Sequence, residues 1–191
     1  MAAKLKFGRE LRAVLKKKMI LISVISLVVS FVSGVLYAYT KNRAFFPVAV
    51  TFGTMFYHLA MRLAVGTLID AKYHNRMDYT KNWFLEKPFE KKLYKRLKVR
   101  KWKKYLPTLN PEDFDLKNRS LEEIIQVTCQ AEVVHEIILP LSFVPVIFSI
   151  WFGSLDVFII TSCVSFLFDG LLVMMQRYNR PRLMRLLKRK S

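Results

Sequence analysis

Uncharged, mostly apolar residues run without interruption from Met19 to Tyr39, and this run is long enough to cross a hydrocarbon layer that needs about 20 helical residues. A short Thr-Lys-Asn-Arg turn (Thr40 to Arg43) lets the chain reverse into a second apolar stretch, Ala44 to Ile69. Two further stretches, Ile137 to Gly153 and Leu155 to Met175, flank a tight Gly-Ser-Leu-Asp turn. The third stretch has 17 residues and contains Pro140 and Pro145, so a full crossing and a tilted or re-entrant segment both remain open. The pattern predicts an all-α polytopic membrane protein with about four transmembrane helices and cytoplasmic amphipathic helices. One membrane domain, 1–191, is expected to comprise a basic lead-in (1–18), a hairpin (19–69) and a basic central section (70–119). An amphipathic helix with a second hairpin (120–175) and a basic tail (176–191) complete it.

Two polar-flanked segments carry helical periodicity. In Leu121 to Leu139, Ile124, Ile125, Ala131, Val134 and Ile138 recur on one face. Ser120 and Glu123 before them have capping-box spacing, in which each side chain satisfies a free N–H of the other's turn. Lys87 to Leu106 is expected to form one helix lying on the membrane surface. Pro88 suits its first turn, Phe89, Leu93 and Leu97 stack at i+4, and the flanking cations snorkel toward phosphates. Pro107 to Asn118 is a turn-rich connector.

Charge then orients this plan. The 191 residues are 53% hydrophobic, yet 32 Lys and Arg face only 14 Asp and Glu, a formal net charge of +18. A soluble domain this basic suggests nucleic acid, but here the cations are segregated from the apolar runs, which excludes that class. They crowd the lead-in, the central section and the tail, whereas the two hairpin turns hold only Lys41 and Arg43. The positive-inside rule then places both termini and the central section in the cytoplasm of a multi-pass cell-membrane protein, against an anionic phospholipid surface. No signal peptide is expected, because the first apolar run passes directly into a second. Cys129 and Cys163 show no metal-type spacing and are expected to be reduced thiols.

Four groups of residues are candidates for chemistry. Glu132 and His135, three residues apart on one helix face, are expected to touch, the carboxylate orienting the imidazole as a general base. Glu-x-x-His is also di-iron spacing, but the second copy such sites need is missing, so no metal is expected. Arg62 and Asp169 fall some six or seven residues inside their spans. At ~1.5 Å per residue both lie roughly 10 Å below the surface and are expected to pair, with His58 one turn deeper. The tail motif Arg177, Tyr178, Asn179, Arg180, Pro181, Arg182 is rich in donors for phosphate, carboxylate or sugar hydroxyls, and Pro181 is expected to bend it back toward the membrane. Arg100, Lys101 and Trp102 on the surface helix are candidates for holding an anionic substrate group.

Three stretches, Val99 to Leu106 (VRKWKKYL), Ala131 to Phe143 (AEVVHEIILPLSF) and Gln176 to Leu183 (QRYNRPRL), resemble in order and spacing the glycosyl-4,4'-diaponeurosporenoate acyltransferases of staphyloxanthin-type carotenoid biosynthesis. The resemblance covers about 85–188, and the N-terminal hairpin shows no clear match. Glu136 stands where that family leads one to expect tryptophan. The resemblance implies an enzyme that esterifies a sugar hydroxyl of a glycosylated carotenoid or related glycolipid with a fatty acyl group. On that reading His135 is the base, and Asn179, Arg180 and Arg182 hold the head group or the oxyanion. An acyl donor such as acyl-CoA is co-substrate, and no resident cofactor is required. The competing expectation is a non-enzymatic membrane partner whose basic loops grip anionic lipid.

Overall fold

A computed structural model describes residues 2–106, 114 and 119–190, with side chains for 16–106, 114 and 119–189. The Pro107–Asn118 connector, apart from Phe114, lies outside the described residues, as do the side chains of the lead-in up to Leu15. Among the described residues every regular element is helical. They are α1 (Ala2–Thr40), α2 (Phe45–Tyr73), α3 (Glu90–Arg96), α4 (Val99–Trp102), α5 (Leu121–Leu141), α6 (Val144–Phe152) and α7 (Leu155–Lys190), with a 3-10 turn, Lys103–Tyr105, after α4. Four helical stretches are long and apolar enough to cross a membrane: Lys16–Thr40, Phe45–Tyr73, Leu121–Phe152 and Leu155–Arg189. α1 packs on α2, α5 on α7, and α2 joins the two hairpins by touching α5, α6 and α7.

The first hairpin is apolar outside and small inside. Leu21, Val24, Val28, Phe31 and Val32 of α1 are exposed, whereas Ser23, Ser26 and Ser33 are buried. Lipid rewards the aliphatic face, and small residues let two backbones approach. Ser26 Oγ satisfies itself on the Ile22 carbonyl, while Ser30 Oγ crosses to the Ala49 carbonyl at 2.8 Å. Opposite it, a Cβ on Gly53 would lie 3.0 Å from Ser30 Oγ, so a larger residue at this crossing would have to push Ser30 aside.

In the second hairpin the amphipathic helix runs, as its pattern suggests, into the first turns of the third span as α5, and the span resumes as α6 after a break at Ser142–Phe143. Pro140 has no N–H to give the Glu136 carbonyl, so the helix loosens there. The break stays satisfied: Ser142 N–H bonds the Ile138 carbonyl at 2.9 Å, and Tyr57 Oη donates to the Leu141 carbonyl at 2.9 Å. The capping box at the start of α5 is present in both directions: Glu123 N–H bonds Ser120 Oγ at 3.2 Å and Ser120 N–H bonds Glu123 Oε2 at 2.8 Å. Gly153, at φ +66°, and Ser154, at φ +51°, make the tight turn into α7.

At the basic end α7 continues through Pro181 to Lys190, so the proline does not end the helix, and one expectation needs correction. The surface segment 87–106 is not one helix, because Lys98 adopts φ +52° and separates α3 from α4. The outward stripe Phe89, Leu93 and Leu97 is indeed exposed, while Glu90, Tyr94 and Val99 face inward. The step from Tyr94 to Val99 is one residue longer than a helical turn, and the left-handed Lys98 absorbs it. Trp102 Nε1 then closes the break on the Leu97 carbonyl at 2.9 Å.

Candidate active site

Three helices bring ionisable side chains together inside the bundle. Asp169 on α7 is fully buried. Its Oδ1 accepts from His135 Nδ1 on α5 at 2.8 Å, and its Oδ2 accepts from Arg62 Nη2 on α2. An ionised carboxylate is acceptor-only, so the imidazole carries its proton on Nδ1 and leaves Nε2 as the remaining nitrogen. The rest of the Arg62 fork is taken by Ser165 Oγ at 2.8 Å and the His58 carbonyl at 2.9 Å. Ser165 bonds Ser142 at 2.7 Å, so the α5 break is tied to the same cluster. Arg62 and His135 side chains each keep 17% exposure, so the buried carboxylate holds a histidine that is reachable from outside.

The orienting partner of His135 is therefore Asp169. Glu132, expected in that part, makes its bonds elsewhere. Its side chain is fully buried on the neighbouring face of α5, bonded to Arg177 Nη1 at 2.5 Å and to Arg180 Nη2. A carboxylate already saturated by two guanidinium groups has no reason to turn toward an imidazole.

These two arginines likewise direct their donors into the protein. Arg180 is fully buried, over the Phe84 ring at 4.9 Å. Its donors also reach Thr128 Oγ1, the Thr128 carbonyl and the Phe84 carbonyl, each at 3.1 Å. Arg177 donates to Glu90 Oε1 at 2.6 Å and to the carbonyls of Trp83 at 3.1 Å and Leu85 at 3.3 Å. Together they fasten the 83–90 loop and α3 onto α5 and α7. Glu136, whose role the pattern left unassigned, accepts from Trp83 Nε1 at 2.9 Å and pins the same loop.

The remaining tail residues meet the surface segment. Tyr178 stacks edge-on against Tyr94 at 5.7 Å, and Arg182 lies over the Tyr178 ring at 4.0 Å while donating to its hydroxyl at 2.5 Å. Lys103 Nζ bonds Asn179 Oδ1. Burial, with Arg182 and Arg100 nearby, lowers the Lys103 ammonium below the ordinary lysine range, and burial pushes the Tyr94 hydroxyl up to about 12. Arg100 and Lys101 are exposed on α4, and Trp102 is half-buried. Ten residues of α7 separate Asp169 from Asn179, roughly 15 Å along the helix. The structure thus does not gather the expected residues into one site: it forms a His135–Asp169–Arg62 cluster and a separate basic cap.

The cluster makes a double-mutant test specific. Asp169→Asn is expected to lower the folded yield, because Arg62 loses its anion where an unpaired charge costs a few kcal/mol. Adding Arg62→Gln should restore folding, read by size exclusion and thermal unfolding in detergent. Any activity that depends on His135 should stay lost, because the imidazole still lacks its carboxylate. A double mutant with parental turnover would remove Asp169 from the chemistry, and a double mutant that stayed misfolded would count against the pair.

A protein-family model described as glycosyl-4,4'-diaponeurosporenoate acyltransferase matches residues 80–189, more than half of the chain, covering α3 to α7 and the 83–90 loop. Comparison with curated proteins and with solved structures returns no match. The chain belongs to that family, and the protein is an acyltransferase.

Proposed function

We propose that this member of the glycosyl-4,4'-diaponeurosporenoate acyltransferase family moves a fatty acyl group from acyl-CoA, or a similar activated donor, to a sugar hydroxyl of a glycosylated carotenoid or related glycolipid. The observation that carries the mechanism is the buried Asp169 carboxylate holding His135 Nδ1 at 2.8 Å. With Nδ1 engaged, Nε2 accepts the proton of the sugar hydroxyl as its oxygen attacks the acyl carbonyl. Asp169 steadies the imidazolium, and Arg62, bonded to its other carboxylate oxygen, holds Asp169 in place. When the tetrahedral intermediate collapses, the C–S bond breaks and Nε2 returns its proton to the leaving thiolate. The products are the ester and free thiol, and His135 is neutral again. Membership of an acyltransferase family decides against the non-enzymatic partner.

The basic cap has a supporting part in this reading. Phe89, Leu93 and Leu97 are exposed beside Lys91, Lys92, Lys95 and Lys98, so this edge suits the leaflet boundary. Exposed Arg100 and Lys101 suit the phosphates of a nucleotide-bearing donor. With the cations on this side, the cap, both termini and His135 belong to the cytoplasmic half.

The test is lipid mass spectrometry of cells with and without the protein, followed by reconstitution with acyl-CoA and glycolipid. The expected result is loss of one species heavier than its precursor by a single acyl chain. Identical lipid profiles would refute the proposed reaction.

A further inference from the structure

At the end of the bundle remote from the cap, α1, α2, α6 and α7 line a half-open pocket of about 480 Å³, within the size range of small-molecule sites. Its walls are mainly apolar and aromatic, with Tyr37, Phe46, Phe148 and Phe152 among them. The hydroxyls of Ser30, Thr54 and Tyr57 in the lining all donate to backbone carbonyls, at 2.8, 2.8 and 2.9 Å. With those hydroxyls engaged, the lining suits hydrocarbon better than a polar group. Phe46 and Tyr57 lie eleven residues apart along the α2 wall, roughly 16 Å, on the scale of an extended acyl chain. Its inner limit, Tyr57, packs edge-on against His58 at 5.5 Å, and the His58 carbonyl accepts from Arg62 of the reactive cluster.

We infer that this cavity receives the hydrocarbon chain of the acyl donor and that Gly34 sets the chain length transferred. This rests on the acyl-transfer reading above and adds where the acyl chain lies. The slot reaches Pro145 beside the α5–α6 break, and its apolar walls suit a flexible saturated chain. Gly34 lines the slot, and a Cβ there would meet nothing within 4 Å, so side-chain volume added at this position enters open space.

The experiment compares parental protein with Gly34→Ala, Gly34→Leu and Gly34→Phe, all in detergent, using palmitoyl and octanoyl donors in competition. The ratio of palmitoyl to octanoyl transfer is expected to fall with side-chain size, on the order of tenfold or more for Gly34→Phe. In parallel, a palmitoyl probe with a terminal diazirine is photolysed on the parental protein. Its label is expected at the Tyr37–Phe46 end of the hairpin. Labelling there with no transfer by the parental protein would leave the chain site standing and reject the acyl-transfer reading. Label elsewhere, or a ratio unchanged across folded variants, would overturn the inference, including the case in which the acceptor's polyene fills the cavity. Should Gly34→Phe fail to fold, Gly34→Ala, Gly34→Leu and the labelling still decide.

Discussion

His135→Ala is expected to lower acyl transfer by roughly 10²- to 10⁴-fold, the usual contribution of one positioned general base. Folding should be nearly intact. The imidazole keeps 17% exposure and makes one bond, to Asp169, which retains Arg62 as counter-ion. Loss of turnover with a parental unfolding temperature is therefore the signature of a reacting group. Detergent-solubilised protein with acyl donor and glycolipid gives the rate, and the same preparation gives the unfolding curve. His135→Gln is the sharper companion, since an amide can still donate to Asp169 but cannot accept a proton at neutral pH. Parental rates in both variants would remove His135 from the mechanism.

Much of this architecture was legible in the hydropathy pattern. The four membrane-length stretches follow from the cost of exposing polar groups to lipid, which leaves long apolar runs whatever the partners are. Pairing of Arg62 with Asp169 followed from depth alone. The same counting carries a signal for the His135–Asp169 contact: from the turn at Gly153, His135 lies 18 residues back and Asp169 16 residues forward, at nearly equal rise. Proximity of Glu132 and His135 on one helix masked it. Spacing shows which side chains share a face of a helix, but the neighbouring helix decides which of them has a partner. Pro181 and Lys98 fall in the same class. Prolines and i+4 stripes report local preference, whereas the continuation of α7 and the step between Tyr94 and Val99 are imposed by what the arginines and the buried Tyr94 pack against.

The second large effect concerns that basic cap. Glu132→Gln is expected to destabilise the protein by about 3–5 kcal/mol, because removing one partner of a buried ion pair leaves uncompensated charge behind. The guanidinium of Arg180 is the group most exposed to this loss, being fully buried with Glu132 as its carboxylate, whereas Arg177 retains Glu90 at 2.6 Å. Thermal unfolding in detergent should show a large drop, and proteolysis should cut first in the 83–90 loop, which the two arginines hold by its carbonyls. Joining Glu132→Leu to Arg180→Leu removes one negative and one positive buried charge and leaves the Arg177–Glu90 pair intact, so it should recover most of the lost stability. The same series separates two roles for Glu132. If it clamps the cap, stability and activity fall together in Glu132→Gln and return together in the double mutant. If it orients His135, activity stays lost after stability returns. The contacts of Glu132 with Arg177 and Arg180 support the first outcome, and a Glu132→Gln protein that melts at the parental temperature would refute it.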